Sequence, residues 1–481
     1  MKKSLVFIFA LSVLFGCTKT EPVVLTASPD KLEFGAAGGS SEFVVDANFE
    51  WTVKTDGQDW YSISPQTGTG HATVKVTVQQ HIKSAVRSGS ISIISRDKKI
   101  SLPLIQASPA VPSEAEKVSE NVGFAGGEIK IAAPSGYEFK VIVPEDMSWL
   151  TVLSSNQENI VLKVTENPGR SDRKGEISVT TTDNKPLKSI SFVQYGTAPK
   201  AGELLIEEIF FQGNKIGDTK YNDATYGDQY FILTNNSDHA FYADGVLLLI
   251  GEILSGAYKT NVYFKYPPQD DFLGASDLFA IPGSGKEVLL DAGKSLVIAI
   301  AAQNFKEKLP ETGCDLTKAD FEIYEESNPG IPQKDTDNPD VPNMVVWRKK
   351  SMSYTILHQR GFYGYALALP PEGMTAETFL KDYKWNDKKV FTLNKAESQI
   401  DAYKVPQAWA LDAVNLSRKE CFVVLPWNEK MDAGYTYCGK SFNDNPWGTC
   451  VKRKKLENGK LQDTNNSTND FIPEATPPSL R

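Results

Sequence analysis

The chain has 481 residues, a hydrophobic content of 41% and an aromatic content of 10%, which is enough apolar material for three or four packed domains. Acidic residues outnumber basic ones by 60 to 51, so the formal net charge at pH 7 is −9. This balance argues against nucleic acid or an anionic membrane surface as the main partner. Apolar runs are short and separated by turn residues, which is typical of antiparallel β-sandwiches. The sequence therefore predicts an all-β fold.

Residues 1–17 have the organisation of an export signal. Two lysines precede an apolar run over 5–15 that is too short to span a bilayer as a mature helix, and Gly16 and Cys17 follow it. This ending resembles the lipobox of bacterial lipoproteins. The resemblance implies that the thiol of Cys17 is acylated and the preceding peptide is removed, which gives a stable membrane anchor. A cleaved secretory signal with an incidental cysteine is the alternative.

Residues 23–107 predict a first β-sandwich of seven or eight short strands. Apolar and polar residues alternate strictly over 72–78, so Val74, Val76 and Val78 are expected on one inward face. The other recognisable features, in chain order, are Gly38-Gly39, Trp51, Trp60, Ser64-Pro65 with Gly68 and Gly70, Arg87-x-Gly89 and a final Gln106. A proline-containing linker over 109–116 follows.

Residues 117–197 repeat this plan and predict a second sandwich. The corresponding features are Gly126-Gly127, Trp149, the alternation over 159–165, Arg173-x-Gly175 and Gln194. The second copy lacks the Ser-Pro segment and the first tryptophan. Because Trp51 and Trp149 lie in strand-like segments, we expect both to be core residues rather than platforms for sugars.

The order of these features resembles the BACON domain, an immunoglobulin-like β-sandwich of Bacteroidetes surface proteins. The resemblance covers both predicted sandwiches and implies two tandem immunoglobulin-like domains outside the cell. It implies either binding of carbohydrate or mucin, or a spacer role that holds a distal domain away from the membrane.

Residues 201–481 predict a larger C-terminal β domain. Strand-like segments occupy 204–210, 230–237, 243–250 and 288–299. Their order resembles the lamin-tail type of immunoglobulin-like sandwich, and 451–480 resembles the closing strand and loop of that family. The whole region also resembles a Bacteroidetes domain of unknown function that follows such stalks.

This region is much longer than the ~100 residues of one sandwich, so we expect long insertions. The segment 303–342 is polar and rich in proline, and 370–401 contains a short helix candidate with Thr375 as its N-cap. Long connections within a compact domain are commonly functional or disordered. The insertions are therefore where a binding site is expected.

Motifs for phosphate and metal binding are weak. The glycine-rich segment 283–286 is followed by Glu287, whereas a phosphate loop requires Ser or Thr there. The acidic segment 335–340 lacks the central glycine of a calcium loop. The whole chain has four histidines and no CxxC pair. The sequence predicts no metal site and no cofactor.

Signals for catalysis are equally weak. Ser351, Ser353 and His358 lie close together in sequence but without the glycine pattern of a nucleophile elbow. The adjacent carboxylates Glu207 and Glu208 would point to opposite faces of a strand. We predict that the protein is not an enzyme and has no catalytic residue. A site assembled from distant carboxylates across the insertions is the alternative.

The stretch 426–450 is the most suggestive for ligand binding. Its candidate ligand-binding residues are Trp427, Asn428, Tyr435, Tyr437, Phe442, Asn443 and Trp447. Aromatic faces stack on the apolar faces of sugar rings, while amides fix orientation. A structural loop that packs its aromatic residues inward remains equally open.

Cys438 and Cys450 bracket the second half of this loop and are the closest pair among the five cysteines. In an oxidising compartment this proximity predicts a disulfide. A pairing of Cys421 with Cys438, or free thiols, remain alternatives.

Together these features predict a lipid-anchored outer-membrane protein that faces the cell exterior. Its distal domain is expected to bind glycan or mucin, with the two N-terminal sandwiches as a stalk. The alternative is a protein-interaction accessory of an outer-membrane uptake receptor. Nucleic acid is not an expected partner.

Overall fold

A computed structural model describes residues 21–215, 228–327, 330, 334–351, 354–476 and 478–481. Strands account for nearly all of the regular structure in these segments, which confirms the predicted all-β class. None of the helices in the described segments is long and apolar enough to cross a membrane. Cys17 and Ser353, singled out in the sequence, lie outside the described residues.

The chain divides into two compact units. Among the described residues, the first unit comprises those up to 120 together with those in 127–165 and 174–193. The second unit comprises those in 121–126, 166–173 and 194–481. The sites discussed below lie entirely within the second unit.

The first sandwich is built from nine strands in two sheets. The strands are β1 Leu25–Ser28, β2 Leu32–Phe34, β3 Gly39–Ala47, β4 Glu50–Thr55, β5 Tyr61–Ser64, β6 Thr67–Thr69, β7 Ala72–Val78, β8 Arg87–Ser95 and β9 Lys98–Gln106. One sheet has the order β1-β3-β7-β5 and the other the order β2-β9-β8-β4-β6. Val74, Val76 and Val78 of β7 are buried between the sheets, which confirms the inward face predicted from alternation.

The second sandwich has seven strands in two sheets. They are β10 Glu116–Val122, β11 Gly127–Ala132, β12 Phe139–Ile142, β13 Leu150–Ser155, β14 Asn159–Val164, β15 Arg173–Thr181 and β16 Pro186–Gln194. The sheet orders are β10-β16-β15-β12 and β11-β14-β13. Trp149 is buried here and Trp51 is buried in the first sandwich, which confirms both as core residues.

The repeated Arg and Gln positions form a hydrogen-bond network in the first sandwich. Arg87 Nε donates to Gln106 Oε1 at 2.8 Å. Gln106 Nε2 donates in turn to the backbone oxygens of Gly35, Ala36 and Gln79. The fully buried Gln106 therefore joins three separate segments of the sandwich.

The second copy reproduces this network. Arg173 Nε donates to Gln194 Oε1 at 2.7 Å, and Gln194 Nε2 donates to the backbone oxygens of Gly123 and Phe124. In both copies the arginine donates to the final glutamine, and the glutamine donates to backbone oxygens of another segment. This shared network explains why Arg and the final Gln occur together in both copies.

The glycine two residues after each of these arginines is required by close packing. A Cβ at Gly89 would lie 2.8 Å from the Tyr61 ring, and one at Gly175 would lie 2.4 Å from the Met147 side chain. Any larger residue would push a core side chain out of place.

Among the described residues, the C-terminal domain contains the remaining strands and two α-helices. The strands are β17 Leu204–Phe210, β18 Tyr230–Asn235, β19 Phe241–Tyr242, β20 Leu247–Gly251, β21 Phe264–Lys265, β22 Phe272–Ala280, β23 Leu289–Leu290, β24 Ser295–Ala299, β25 Phe321–Glu322, β26 Val345–Arg348, β27 Gly364–Ala368, β28 Lys388–Phe391, β29 Glu397–Gln399, β30 Tyr403–Pro406, β31 Ala410–Ser417, β32 Thr436–Tyr437, β33 Cys450–Arg453 and β34 Phe471–Ala475. The helices are α1 Ala376–Asp382 and α2 Ser467–Asp470, and short 3-10 turns occupy Phe305–Glu307 and Gln407–Trp409.

Two large sheets pack face to face in this domain. One has the order β25-β24-β18-β17-β33-β34, and the other has the order β26-β22-β20-β27-β31-β32, with β30 also paired to β22. Two small sheets, β19-β23 and β21-β28-β29, flank them. Phe231 of β18 meets Tyr365 of β27 edge to face in the shared core, with ring centroids 5.2 Å apart.

A buried ion pair links the same two sheets. Arg453 of β33 donates to both carboxylate oxygens of Asp412 of β31, at 2.8 and 2.7 Å. Because Asp412 also accepts from the backbone N–H of Ile206, both charged groups are hydrogen-bonded inside the core.

The insertion over 370–401 forms the predicted short helix. Thr375 caps α1 by accepting from the backbone N–H of Thr378 at 3.2 Å, which confirms the predicted N-cap. The buried Phe379 of α1 belongs to a second apolar layer against the seven-stranded sheet. One insertion is therefore an ordered part of the domain rather than a loose connection.

Candidate functional site

A cleft of about 790 Å³ opens in the C-terminal domain. One wall is formed by residues 263–270, which precede β22, and the other by 422–435, which follow β31. Its volume lies in the ~300–1,000 Å³ range of small-molecule sites. The second wall overlaps the stretch 426–450, in which the sequence analysis placed the candidate ligand-binding residues.

The first wall carries three aromatic residues, Tyr263, Phe264 and Tyr266. Phe264 packs on Phe391 of β28, with ring centroids 5.0 Å apart. The Lys389 ammonium lies 5.0 Å from the Phe264 ring centroid and 5.2 Å from that of Tyr266. These contacts hold the aromatic wall in a defined position, with each ring only partly buried.

The second wall is built around a stacked pair of rings. Phe422 and Tyr435 lie parallel, with centroids 4.3 Å apart and an interplanar angle of 6°. Thr468 accepts from the Tyr435 backbone N–H and donates to the Tyr435 backbone oxygen. The Tyr435 hydroxyl donates to the backbone oxygen of Lys419 at 3.2 Å. The pair is therefore fixed before any ligand arrives.

Two side-chain amides tie the walls together. Asn428 Nδ2 donates to the backbone oxygen of Gln269 at 2.7 Å, and Gln269 Nε2 donates to the backbone oxygen of Pro426 at 2.8 Å. The Asp432 carboxylate accepts from the backbone N–H groups of Asn415 and Ser467, which anchors the end of the second wall. Preorganisation of this kind lowers the entropy cost of ligand binding.

The cleft therefore offers aromatic surface with a charged rim. Lys265, Asp270 and Glu429 line its edge and are exposed. Rings can stack on a flat ligand with an apolar face, while the rim and solvent satisfy polar groups at its edge.

The predicted ligand-binding residues do not all meet in this cleft. Asn428 and Tyr435 line it, but Trp427 lies beneath it with 0% of its surface exposed. The Trp427 Nε1 donates to the backbone oxygen of Tyr365 at 3.1 Å. The structure thus corrects the prediction for Trp427, which is a core residue with no surface for stacking on a ligand.

The rest of the predicted set, Tyr437, Phe442, Asn443 and Trp447, lies outside the cleft. Phe442 packs against Tyr258 and Phe362, and the Arg360 guanidinium lies 4.1 Å from its ring centroid. These contacts agree better with a structural loop that packs its aromatic residues inward than with a ligand-binding loop around Phe442.

Sequence reasoning missed most of the cleft's aromatic residues. Tyr263, Phe264, Tyr266 and Phe422 were not among the candidates. An aromatic cluster directly before Pro267 and Pro268 was the available signal for the first wall. Phe422 had no comparable signal, because its partner Tyr435 is thirteen positions away in an irregular segment.

The cysteines do not form the predicted bridge. Cys314, Cys421, Cys438 and Cys450 are all buried free thiols in the structure. Cys438 belongs to the core between the two large sheets, whereas Cys450 belongs to a separate apolar cluster around β18 and β24. The chain directs the two side chains into different clusters, so the predicted Cys438–Cys450 disulfide is absent.

Family models match three parts of the chain. The model for the "Viral BACON domain" matches residues 24–108, and the BACON model, described as "Putative binding domain, N-terminal", matches 139–191. The model for "Protein of unknown function (DUF4876)" matches 291–478. No curated protein matches the chain.

Several solved structures are similar to the chain at low identity. A DUF4876 family protein from Bacteroides thetaiotaomicron is 18% identical, with 94% of this chain and 96% of that chain covered and a TM-score of 0.46. A Bacteroides ovatus GH5 xyloglucanase in complex with a heptasaccharide is 20% identical over 26% of this chain and 29% of that chain, with a TM-score of 0.18. An NMR structure of a Bacteroides thetaiotaomicron protein is 20% identical over 21% of this chain and 97% of that chain, with a TM-score of 0.15.

Proposed function

We propose that this chain, in which two BACON domains precede a DUF4876 domain, is a cell-surface binding protein that holds a glycan in the cleft of its C-terminal domain. The BACON match supports a binding role in general terms. The choice of a glycan rests on the chemistry of the cleft walls.

The observation that carries the proposal is the pair of aromatic walls. Phe422 and Tyr435 form a parallel stack on one side, and three further aromatic residues line the other. A sugar ring has an apolar C–H face and a polar edge. It can stack on these rings while its hydroxyl groups point to the charged rim and solvent.

Within the described part of the chain, the adjacent carboxylates considered as a catalytic pair fit a binding role without catalysis. Glu207 and Glu208, adjacent on β17, have separate partners: Glu207 accepts from Thr234, and Glu208 accepts from Tyr230. The two carboxylates thus serve different contacts rather than one site. In the proposal, Cys17 anchors the protein to the outer membrane, and the N-terminal sandwiches act as a stalk.

A glycan array probed with the purified chain tests the proposal. We expect retention of at least one class of glycan, with the signal strongly reduced by Tyr435→Ala. Tyr437→Ala is the matched control, because Tyr437 is two residues away and outside the cleft.

A parallel pull-down from native membranes addresses the alternative function. Capture of an outer-membrane receptor by a chain that retains no glycan would replace the glycan proposal with the protein-interaction role.

A further inference from the structure

A second open pocket, of about 470 Å³, lies in the second unit and shares no residue with the cleft. Its walls include residues 281–286, which follow β22, and residues 370–376, which lead into α1. Trp347 of β26 and Met374 also line it, and both side chains are partly exposed. We call it the Trp347 pocket. It combines an aromatic ring with open volume, as a site for a sugar ring requires.

The cleft and the Trp347 pocket lie at opposite ends of β22. Residues 263–270 of the cleft precede this strand, and residues 281–286 of the Trp347 pocket follow it. A strand of 9 residues is about 30 Å long at ~3.3 Å per residue. Trp427, beneath the cleft, belongs to the same apolar layer on which Trp347 packs. Both sites are therefore on one face of the seven-stranded sheet.

Partly exposed aromatic residues occupy the surface between the two sites. The rings of Trp409 and Tyr383 have centroids 5.3 Å apart, and Tyr383 stacks on the buried Phe379 of α1 at 5.0 Å. Phe379 also contacts Trp347, with ring centroids 5.7 Å apart. Trp409, Tyr383 and Trp347 thus surround one buried ring, and we call these three residues the aromatic track.

The aromatic track begins beside the cleft. Gln407, two residues before Trp409, accepts through its Oε1 from Asn428 Nδ2 of the cleft at 3.1 Å. The Gln407 backbone N–H donates to the backbone oxygen of Asp271 at 2.8 Å, directly after the wall formed by 263–270. Both walls of the cleft are therefore in contact with the turn that carries Trp409.

The shape of this surface indicates the form of its ligand. Contiguous apolar surface on a folded domain commonly marks a binding site. A linear glycan presents one apolar ring face after another, so aromatic rings spaced along a surface can each stack on a different sugar unit. A single terminal sugar would use only one of the two sites.

We propose that the ligand is a linear glycan that runs from the cleft along the aromatic track into the Trp347 pocket. This inference rests on the proposed function, because it takes the cleft as the first part of the site. It adds Trp409, Tyr383 and Trp347 to the binding residues, and it requires a chain of several sugar units.

The test is isothermal titration calorimetry of the purified full chain with trisaccharide and octasaccharide fragments of xylan, mannan, curdlan and poly-N-acetyllactosamine. We expect at least one octasaccharide to bind about tenfold more tightly than its trisaccharide, because it makes additional stacking contacts. Trp409→Ala and Trp347→Ala should each weaken octasaccharide binding about threefold to tenfold, as expected for the loss of one stacked ring. Trisaccharide binding should stay unchanged in both variants, since a trisaccharide occupies the cleft.

The controls separate a lost contact from a lost fold. Retained trisaccharide affinity in Trp409→Ala and Trp347→Ala shows that the domain is folded. Tyr435→Ala should weaken both probes, because Tyr435 lines the cleft. Tyr258→Ala should bind both probes like the wild type, because Tyr258 is 66% exposed and lines neither site.

Three results would overturn the extended site and leave the cleft proposal standing, provided that a glycan is retained on the array. They are the absence of binding by every octasaccharide, equal affinity for the two fragment lengths, and unchanged octasaccharide affinity in Trp409→Ala or Trp347→Ala. Loss of trisaccharide binding in both tryptophan variants would also overturn it, because their effect would then be on the fold. Retention of no glycan on the array, with no fragment bound, would overturn both proposals.

Discussion

Trp51 is 1% exposed in the core of the first sandwich, and its Nε1 donates to the backbone oxygen of Gly70 at 3.2 Å. Replacing a buried tryptophan by alanine leaves a cavity and costs about 3–5 kcal/mol. We therefore expect Trp51→Ala to lower the free energy of unfolding of the first sandwich by that amount, measured by urea denaturation.

Val86→Ala is the control for Trp51→Ala, because Val86 is 60% exposed in the same sandwich. It should change stability by less than about 0.5 kcal/mol. Equal stability of Trp51→Ala and the wild type would show that the indole is not a core residue.

His358 makes a pH-dependent contribution to stability whose sign follows from burial. Its pKa is lowered to about 4 in the folded protein, chiefly because the charged form is desolvated, while the unfolded chain titrates near its ordinary value of ~6.5. Between these values the unfolded state binds more protons. The contribution of His358 to the free energy of unfolding is therefore complete above pH ~6.5 and is lost as the pH falls towards 4.

We accordingly expect the melting temperature of the His358→Gln variant to fall less than that of the wild type between pH 7.5 and pH 5. Differential scanning calorimetry at both pH values measures this difference. His71→Gln, at an exposed position, should retain the slope of the wild type. Identical slopes for His358→Gln and the wild type would mean that His358 titrates normally in the folded protein.

Residue-level predictions succeeded where a strand sets the direction of the side chain. Val74 and Val76 lie in a strictly alternating segment, and both were correctly expected to be buried. Trp427 and Tyr435 lie in an irregular stretch with no period. Nothing in the local sequence could indicate that Trp427 is buried beneath the cleft while Tyr435 lines it.

At the level of the strands, the first sandwich depends on one side chain that joins three segments. Gln106, at the end of β9, connects Arg87 of β8 to the backbone oxygens of two connecting segments. Removing one partner from a buried network leaves the other groups unsatisfied, at about 1–3 kcal/mol each. We expect Gln106→Ala to destabilise the first sandwich by at least about 2 kcal/mol in urea denaturation.

Gln66→Ala provides the comparison for Gln106→Ala, because Gln66 is exposed on the same sandwich and only its backbone takes part in hydrogen bonding. A Gln106→Ala protein as stable as Gln66→Ala would contradict a structural role for the network.

The elements most easily predicted were those encoded by local pattern. The alternation of apolar and polar residues predicted the strands β7 and β14, and a threonine before a helical segment predicted the start of α1. The walls of the cleft are different, because 263–270 and 422–435 meet only through contacts such as Asn428 with Gln269. Contacts between residues so distant in sequence leave no local pattern to detect.

For the whole molecule, the order of domains was visible in the sequence because the first two domains repeat a motif. Their matches to BACON models and the DUF4876 match in the third region agree with that organisation. The lamin-tail resemblance and the membrane anchor stay predictions, and Cys17 lies outside the described residues.

Membrane attachment can be tested through Cys17. We expect Cys17→Ala to move the protein out of the membrane fraction or to block its maturation, because in the proposal acyl chains on that residue would supply the anchor. Fractionation in high salt without detergent, followed by immunoblotting, measures this. If Cys17→Ala stays in the membrane fraction under those conditions, another part of the chain is the anchor.

The central claim is that the cleft between 263–270 and 422–435 holds the glycan. The most direct test is isothermal titration calorimetry with one glycan retained on the array, comparing the wild type, Tyr435→Ala and Tyr437→Ala. Loss of a stacked ring and its contact area should weaken the affinity of Tyr435→Ala about tenfold, which corresponds to roughly 1.4 kcal/mol. Tyr437→Ala should bind like the wild type. Unchanged affinity in Tyr435→Ala, or a loss confined to Tyr437→Ala, would contradict the assignment of the site.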